Sequence, residues 1–401
     1  MGIRTIATVA PGHPEWNRSL SVRPATSHPG LKIKWGRVLL ALVVLAGIVG
    51  TLVVLFAWPA IRTAMPVDQE AEACAGAPIE VRGIIGSEKK ALLSDPVVVQ
   101  RLRDSCGITV KFNTDGSLNM IDGDVAGQDF LWPGSTYLRD AFIARRPTGI
   151  KSEVIFNSPI VMIGWVRIAD ALAAAGIARK DADGVYRIDM QKFAEAIDKG
   201  TTWSDIGVAE LGKRSIRAVP TDPTQSNSGN LFAGLLAVVF HADDIPAIGD
   251  VPTLLPQLQK YFQTVGYMER SSGDLFDLFR SSSWTAYPMI VGYESSLIEW
   301  SQESRANADW LRGQVAVIYP EPTVFSQHAF IALSPNGQRL MAGLQLPQIH
   351  SAAWERHGFH TGKVGLDNDL EVLTAIGGTD TVQTTPLPGR EVMDAIVKAM
   401  R

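Results

Sequence analysis

The sequence predicts an α/β protein in which a parallel or mixed sheet is covered by helices on both faces, preceded by one transmembrane helix. From Ile79 onwards, short β-rich runs alternate with apolar stretches at helical spacing. The chain from Cys74 to Arg401 is long enough for two domains or one large bilobed one. Ahead of it, Val38–Trp58 contains no charged residue and is long enough to span a bilayer as a helix.

The charges before the apolar run predict its orientation. The acidic residue there is Glu15, and the basic residues are Arg4, Arg18, Arg23, Lys32, Lys34 and Arg37. This basic excess predicts a cytoplasmic N-terminus and an extracytoplasmic location for the chain after Trp58. A cleaved signal peptide is the alternative, although the run is long for one and no convincing small-x-small cleavage site directly follows it. We expect residues 1–37 to be a disordered arm and residues 59–73 a tether.

Composition excludes some classes of function. The net charge of −4 and the isoelectric point near 6.0 give no indication of nucleic-acid binding. Cys74 and Cys106 both follow the apolar run, on the side where oxidation is favoured, and one intramolecular pairing is possible. Two buried free thiols are the alternative. No CxxC motif or clustered Cys/His spacing is present, so we expect neither a metal site nor a cofactor.

Hydrophobic periodicity predicts the individual elements. The predicted strands are Ile79–Ile85, Ile108–Asn113, Ser152–Trp165 (broken at Asn157–Pro159), Ser215–Val219 and Gln314–Tyr319. The predicted helices are Lys89–Ser105, Ile168–Ala178, Met190–Lys199, Asn230–Phe240 and Glu391–Met400.

Two strand-to-helix turns carry residues that suit a ligand. Gly86, Ser87 and Glu88 follow the first strand, where free amides of the next helix suit an anionic or strongly polar group. A plain helix cap by Ser87 is the alternative. The turn Thr221–Asn230 is the stronger signal, because its hydroxyl and amide side chains exceed what one helix cap requires.

Two further positions are candidates for a cleft. Ser158 lies in the polar break of an apolar strand, and such a break often marks a chain crossing between two lobes. Tyr293 and Glu294 follow the apolar run Tyr287–Val291. Tyr293 would wall a pocket by stacking or hydrogen bonding, and an ordinary half-buried tyrosine is the alternative.

Enzyme motifs are missing from the sequence. It contains no G-x-S-x-G, no G-x-x-x-x-G-K-[ST] and no H-E-x-x-H. Asp115–Asn119 is expected to be a β-turn and not a metal loop. His350, His357 and His360 are expected to be surface histidines near a helix end, since their spacing does not favour a metal site.

Several segments, taken in their order along the chain, resemble those of a known family. They are Phe156–Trp165, Thr201–Gly207, Thr221–Ala237, Ser272–Phe279, Pro288–Ile298, Val315–Leu333 and Ala353–Gly362. The chain from about Cys74 to Arg401 resembles bacterial extracellular solute-binding proteins with the type 2 periplasmic-binding fold. It is most similar to the group found alone or beside von Willebrand A-type domains.

The resemblance implies a bilobed fold whose two lobes, each a mixed or parallel sheet flanked by helices, close on a solute. Carried over, lobe 1 would comprise about residues 74–156 and 319–401, and lobe 2 about residues 157–318. The cleft residues would be Gly86, Ser87, Glu88, Ser158, Ser226, Asn227, Ser228, Gly229, Tyr293 and Glu294. Ligands at the carboxyl ends of strands are the general rule for open α/β sheets.

We therefore expect a membrane-anchored, extracytoplasmic solute-binding protein, and not an enzyme. It would capture a small polar or anionic solute by hinge closure and present it to a membrane permease of an ABC-type transporter. The expected partners are the solute, the permease or a cell-surface protein, and the membrane through residues 38–58, with no nucleic acid. The alternative is a membrane-anchored sensor or partner-binding module with the same fold.

Overall fold

The computed structural model describes residues 69–146, 149–303, 305–362 and 369–401. The predicted arm, the predicted transmembrane segment Val38–Trp58 and most of the predicted tether lie outside these residues. Within the described ranges, no helix combines the length and the apolar character that crossing a membrane requires.

The described strands form one mixed sheet of nine. In chain order they are β1 (Ile79–Ile85), β2 (Ile108–Thr114), β3 (Phe130–Trp132), β4 (Lys151–Trp165), β5 (Ala178–Lys180), β6 (Tyr186–Asp189), β7 (Met289–Tyr293), β8 (Val315–Glu321) and β9 (Phe325–Ala332). Their spatial order is β2-β1-β3-β9-β4-β8-β6-β5, and β7 also pairs with β4. The β1–β2, β1–β3 and β6–β8 pairs are parallel, and the others are antiparallel.

The long strand β4 joins two halves of this sheet. Its residues 151–159 pair with β9, and its residues 160–165 pair with β7 and β8. We call β1, β2, β3, β9 and the start of β4 the first half, and β5 to β8 with the end of β4 the second half. The predicted break at Asn157–Pro159 is not a break, because the strand continues through it. It is instead the point at which β4 changes partners.

The helices cover both halves. They are α1 (Gln69–Cys74), α2 (Lys90–Ser94), α3 (Pro96–Cys106), α4 (Ser117–Asp122), α5 (Thr136–Arg145), α6 (Val166–Ala174), α7 (Met190–Asp198), α8 (Asn227–Phe240), α9 (Val251–Val265), α10 (Ser272–Ser281), α11 (Glu294–Gln302), α12 (Arg305–Gln314), α13 (Pro335–Leu344), α14 (Pro347–His357), α15 (Glu371–Thr374) and α16 (Arg390–Met400).

The predicted helix Lys89–Ser105 is interrupted. Asp95 is extended (φ −63°, ψ 124°) because Pro96 disfavours the helical conformation for the residue before it. The Asp95 carboxylate accepts a hydrogen bond from the Val97 amide at 2.7 Å, so it caps the new helix α3. The turn Ser87–Lys89 is a short 3-10 helix ahead of α2.

The predicted strand Ser215–Val219 is wrong. Only single bridges form there, Thr202 with Ser215 and Val219 with Ile290. The backbone of Val219 exchanges two hydrogen bonds with β7, but Pro220 follows it and has no N–H with which to continue the ladder. The segment therefore lies beside the sheet without becoming a strand.

Each half has its own apolar core. In the first half, Phe130, Trp132, Phe156 and Phe330 pack with the disulfide between Cys74 and Cys106. This disulfide confirms the predicted pairing, and it joins the ends of α1 and α3. In the second half, the helix α8 lies at the centre of the core, with most of its residues buried.

The C-terminal segment packs differently from the predicted division of lobes. Val392, Met393 and Ile396 of α16 lie in the core of the second half, against α8 and α9. Leu373 and Ile376 also pack with second-half residues. The predicted division placed residues 369–401 in lobe 1. Helix α16 packs against both halves, since Val397 lies with the first-half residues Leu118 and Phe142.

Candidate functional site

Buried polar side chains meet where the two halves of the sheet join. Glu88 and Lys89 follow β1, Asn227 begins α8 and Tyr293 ends β7. Strands β4 and β9 complete the group, which we call the seam and define as Glu88, Lys89, Ser158, Asn227, Tyr293, Ser326 and His328. The side chain of Glu88 is 5% exposed, and the other members are 0–3% exposed.

The register of β4 and β9 explains why three of these residues share one face. Ser158 is opposite Ser326, and Phe156 is opposite His328. Paired residues of neighbouring strands point to the same side, and so do residues two apart along one strand. Ser158, Ser326 and His328 therefore project to the same face of the sheet, where Asn227 contacts Ser326 and Tyr293 contacts His328.

A buried ion pair occupies the first-half side of the seam. The Lys89 ammonium contacts the Glu88 carboxylate, and it lies 3.3 Å from His328 Nδ1. Burial alone would raise the pKa of Glu88, but the charge of Lys89 holds it well below its usual range. Burial lowers the pKa of Lys89 against the effect of Glu88. Burial and the Lys89 charge lower the pKa of His328 to about 4, so its imidazole is neutral at pH 7.

An amide links the second half to the first. Asn227 Nδ2 donates to the Tyr293 hydroxyl at 2.9 Å and to Ser326 Oγ at 3.2 Å. Ser326 Oγ donates to the Gly134 carbonyl at 2.5 Å. The Tyr293 ring lies edge-on to the ring of His328, with centroids 5.9 Å apart. Burial raises the pKa of the Tyr293 hydroxyl well above its usual range, so the phenol stays protonated.

Three seam atoms lack hydrogen-bond partners. Among the described residues, Ser158 Oγ, Asn227 Oδ1 and His328 Nε2 are buried and form no hydrogen bond. A buried polar atom without a partner costs about 1–3 kcal/mol, so a group of them needs an explanation. Ser158 and His328 belong to the first half, and Asn227 belongs to the second.

A cleft of about 370 Å³ opens beside the seam and is lined from both halves. Ser87, Glu88 and Gly116 line it from the first half, and Arg270 and Ser271 line it from the second. Glu88 thus belongs to both the cleft and the seam.

Two hydrogen bonds donated by backbone amides also connect the two halves. Ser87 Oγ accepts a hydrogen bond from the Gly273 amide at the start of α10, at 3.2 Å. The Leu118 amide donates to the Gln225 carbonyl at 3.2 Å. Ser87 therefore does not cap its own helix, as one alternative proposed, and it contacts the second half instead. Gly86 is buried at the turn, where a Cβ would meet the Glu88 carboxylate.

The turn Thr221–Asn230, which is the stronger sequence signal for a ligand contact, divides into two parts. Asn227 reaches the seam, whereas Ser226 and Ser228 hydrogen-bond to each other at 3.2 Å. Ser228 also bonds to Thr221 at 2.8 Å. A Cβ on Gly229 would come within 2.2 Å of the Thr221 carbonyl oxygen, so glycine is needed for packing at that point. The many hydroxyls of this turn therefore mostly satisfy one another.

Glu294 faces away from the seam. Its carboxylate accepts a hydrogen bond from the Tyr319 hydroxyl at 2.7 Å and contacts His360 Nε2. The backbone of His360 in turn pairs with Asn157 on β4. Glu294 thus anchors the loop after α14 to the second half, which is a structural connection beside the candidate site.

The histidines predicted to lie on the surface are mostly buried. His350 is 2% exposed and His357 is 6% exposed. His357 bridges Asp95 at 3.0 Å and Glu299 at 2.7 Å, one carboxylate from each half. Burial raises the pKa of Glu299. The described residues contain no group of three or more His, Cys, Asp or Glu side chains placed to hold a metal ion.

Sequence reasoning missed Lys89, Ser326 and His328. Lys89 adjoins a predicted site residue, and a lysine beside a strand-to-helix turn could have been included on charge alone. Ser326, Gln327 and His328 are three consecutive polar residues at the start of the otherwise apolar strand β9, and Ser326 and His328 are buried whereas Gln327 is exposed. This polar run was the available signal in the sequence, but only the pairing of β9 with β4 shows which of its side chains reach the seam.

Comparison with known proteins identifies the fold. The chain matches no protein-family model and no curated protein. Among solved structures, it is similar to the apo ferric ion-binding protein A of Pasteurella haemolytica, with 14% identity, 80% of this chain and 95% of that chain covered, and a TM-score of 0.51. Ferric iron-binding protein A of Mannheimia haemolytica in an open conformation is 12% identical, with 80% of this chain and 96% of that chain covered and a TM-score of 0.47. The sulfate-binding protein of Mycobacterium tuberculosis H37Rv is 13% identical, with 76% of this chain and 96% of that chain covered and a TM-score of 0.44.

The first of these likenesses shows that the chain has a periplasmic-binding-protein-like fold. This confirms the type of fold that the sequence resemblance implied. At 14% identity the likeness concerns the fold and leaves the ligand open.

Proposed function

We propose that this chain is a membrane-anchored, extracytoplasmic solute-binding protein that captures a small polar or anionic solute between the two halves of its fold. The observation that carries the proposal is the group of unpartnered buried atoms in the seam, Ser158 Oγ, Asn227 Oδ1 and His328 Nε2. They belong to both halves, as the ligand contacts of a hinge-closing protein would. The similar protein from Pasteurella haemolytica is named for ferric ion binding, so it too is a binding protein.

Capture would proceed by closure of the second half on the first. Ser158 and His328 would contact a solute from β4 and β9, and Asn227 would approach with α8. The closing movement removes water from these contacts, which strengthens each polar interaction. The cleft of about 370 Å³ provides a route from solvent to Glu88 at the edge of the seam.

The anchor and the permease are part of the proposal. Residues 38–58 would hold the binding domain at the outer surface of the cell membrane, with the N-terminus in the cytoplasm. A tether raises the local concentration of the loaded domain beside an ABC-type permease. The seam offers no activated nucleophile, since Tyr293 stays protonated and Ser158 has no base bonded to it. A binding role without catalysis fits these groups best.

A partner-binding module or sensor is the second candidate. Contacts between the protein's own groups join the halves at Ser87 with Gly273 and at Asn227 with Ser326. A module that keeps one shape while it docks to a partner would need such contacts.

The test is thermal unfolding of the full-length protein in detergent micelles against a panel of sugars, polyols, amino acids and inorganic ions. A ligand at a hundredfold excess over its Kd adds about 2.7 kcal/mol to the free energy of unfolding, which gives a clear rise in Tm. Asn227→Ala should abolish that rise, while Asn113→Ala, at an exposed position of β2, should preserve it. A folded protein whose Tm responds to no solute would favour the partner-binding module.

A further inference from the structure

We propose that the seam selects an uncharged, hydroxyl-bearing solute, such as a polyol or a sugar, and rejects inorganic anions and ferric ion. This inference rests on the proposed function and narrows the solute from polar or anionic to neutral. It is carried by the charge balance of the seam and by the hydrogen-bonding character of its three unpartnered atoms.

The charges of the seam are already balanced. Lys89 is fully buried, and its ammonium contacts the carboxylate of Glu88. A third titratable group of the seam is His328. Its usual pKa lies near neutrality, but in the seam its imidazole is uncharged at pH 7. An entering anion or cation would therefore add an uncompensated charge to a buried site, which costs far more than the entry of a neutral group.

The hydrogen positions on His328 follow from its neighbour. Nδ1 lies 3.3 Å from the Lys89 ammonium and 3.5 Å from Glu88 Oε1. An ammonium can only donate, so the nearer contact makes Nδ1 the acceptor. In a neutral imidazole the hydrogen is then on Nε2, which is the unpartnered atom. His328 therefore presents a free N–H donor to the seam.

The orientation of the Asn227 amide follows in the same way. Ser326 Oγ donates its hydrogen to the Gly134 carbonyl, so towards Asn227 it can only accept. The NH₂ group of Asn227 must point at Ser326, and the carbonyl Oδ1 is left as a free acceptor. Ser158 Oγ adds a hydroxyl that both donates and accepts.

A hydroxyl-bearing solute matches this set. The seam offers a donor at His328, an acceptor at Asn227 and a group of both kinds at Ser158, and an alcohol both donates and accepts. An anion such as sulfate has no hydrogen for Asn227 Oδ1. Ferric ion prefers anionic oxygen ligands, but the carboxylate of Glu88 is held by Lys89 and the Tyr293 phenol stays protonated.

The charges that line the cleft also disfavour anions. Among its described lining residues, carboxylates outnumber the cationic side chains of Lys90, Arg270 and Arg280, which disfavours the approach of an anion. The cleft reaches the seam at Glu88, so this excess of negative charge lies on the path that a solute would take to the seam.

Matched probes test the inference on the full-length protein in detergent micelles. Glucose, mannitol and inositol form the neutral set, and glucose 6-phosphate, sulfate, phosphate and ferric ion form the charged set. Calorimetry and Tm shifts should show binding of at least one neutral probe, with every charged probe about tenfold weaker or more. Tighter binding of a charged probe would overturn the inference and leave the proposed function standing. Absence of binding by all probes, with the protein folded, would overturn both.

Two serines on β4 provide a matched pair of variants. Ser152 Oγ and Ser158 Oγ both lack partners among the described residues, but only Ser158 belongs to the seam. Ser158→Ala should weaken binding of the neutral probe by about fivefold or more without lowering Tm, because no existing hydrogen bond is lost. Ser152→Ala should leave the affinity unchanged. Equal affinities for the two variants would contradict the assignment of Ser158 to the site.

The isosteric change Glu88→Gln tests the charge argument. It leaves the Lys89 ammonium without its carboxylate, so the variant should gain affinity for sulfate or phosphate by about tenfold or more. An unchanged preference for neutral probes in the folded variant would overturn the claim that charge balance sets the selectivity. If Glu88→Gln fails to fold, the affinities of the native protein for the neutral and the charged probes still decide the inference.

Discussion

At the scale of single residues, the seam depends on the mutual compensation of buried groups. Lys89 is fully buried, which a lysine tolerates only with a close partner. Glu88 supplies that partner because it is the preceding residue in the same 3-10 turn. His328 stays neutral because an imidazolium next to the Lys89 ammonium, without water, would be strongly disfavoured.

The lowered pKa of His328 predicts a pH dependence of stability. The unfolded chain takes up a proton near pH 6.5, whereas the folded chain does so only near pH 4. Stability from this group is therefore fully present above pH 6.5 and is lost as the pH falls towards 4. Between pH 7.5 and pH 5.5 the loss should be about 1–1.5 kcal/mol, measured by urea unfolding.

Two variants separate His328 from the other titrating groups. His328→Gln should flatten the pH dependence of the free energy of unfolding by that amount, whatever its effect at pH 7.5. Asn113→Ala, at an exposed position of β2, removes no titrating group and should keep the dependence of the native protein. The same slope in both variants would show that His328 is not the group responsible.

At the scale of elements, the first half is held together at its edge by the disulfide. Cys74 ends α1 and Cys106 ends α3, and both sulfurs are fully buried beside Gly343 of α13. Arg339 of the same helix donates hydrogen bonds to the carbonyls of Cys74, Ala77 and Cys106. The disulfide and this arginine therefore fasten the start of the domain to α3 and α13.

Removing the disulfide should destabilise the domain. The double variant Cys74→Ser with Cys106→Ser opens a loop that spans 32 residues, which should lower the free energy of unfolding by about 3–4 kcal/mol. Dithiothreitol should lower the Tm of the native protein and have no effect on the double variant. An insensitive native protein would show that the disulfide does not contribute to stability.

At the scale of the whole molecule, the two halves share β4 and make polar contacts along their join. Gly134 permits the closest of these, because a Cβ there would lie 2.3 Å from Asn227 Nδ2 and 2.9 Å from Asn227 Cβ. Gly116 permits another, because a Cβ there would lie 2.5 Å from the Gln225 carbonyl oxygen. The join needs these two positions to be without side chains.

Gly134→Ala should hold the halves apart. The added methyl group clashes with Asn227, so we expect the mean separation of spin labels at Lys111→Cys and Lys199→Cys to increase by a few ångströms, and solute affinity to fall about tenfold or more. Gly313→Ala is the control, because a Cβ there meets nothing within 4 Å. An unchanged label separation in Gly134→Ala would mean that Asn227 moves aside without opening the join.

Prediction from the sequence succeeded where the signal was local. The strand Ile79–Ile85 was predicted with its observed bounds, because its β-rich run ends at Gly86 and Ser87. The sequence could not show which polar side chains meet in three dimensions. In the turn Thr221–Asn230, Ser226 and Ser228 bond to each other, whereas Asn227 reaches Ser326. Glu294 adjoins Tyr293 in sequence but points to Tyr319 and His360.

By itself, the sequence determined the α/β class, the single possible disulfide and several residues of the seam, because periodicity, cysteine number and turn chemistry are local properties. Only the tertiary structure decided which polar groups meet. His328 is 239 residues from Lys89, and the pairing of β9 with β4 brings Ser326 and His328 beside Ser158. Side-chain alternation in a strand predicts two faces, and the register of its neighbour decides what each face contacts.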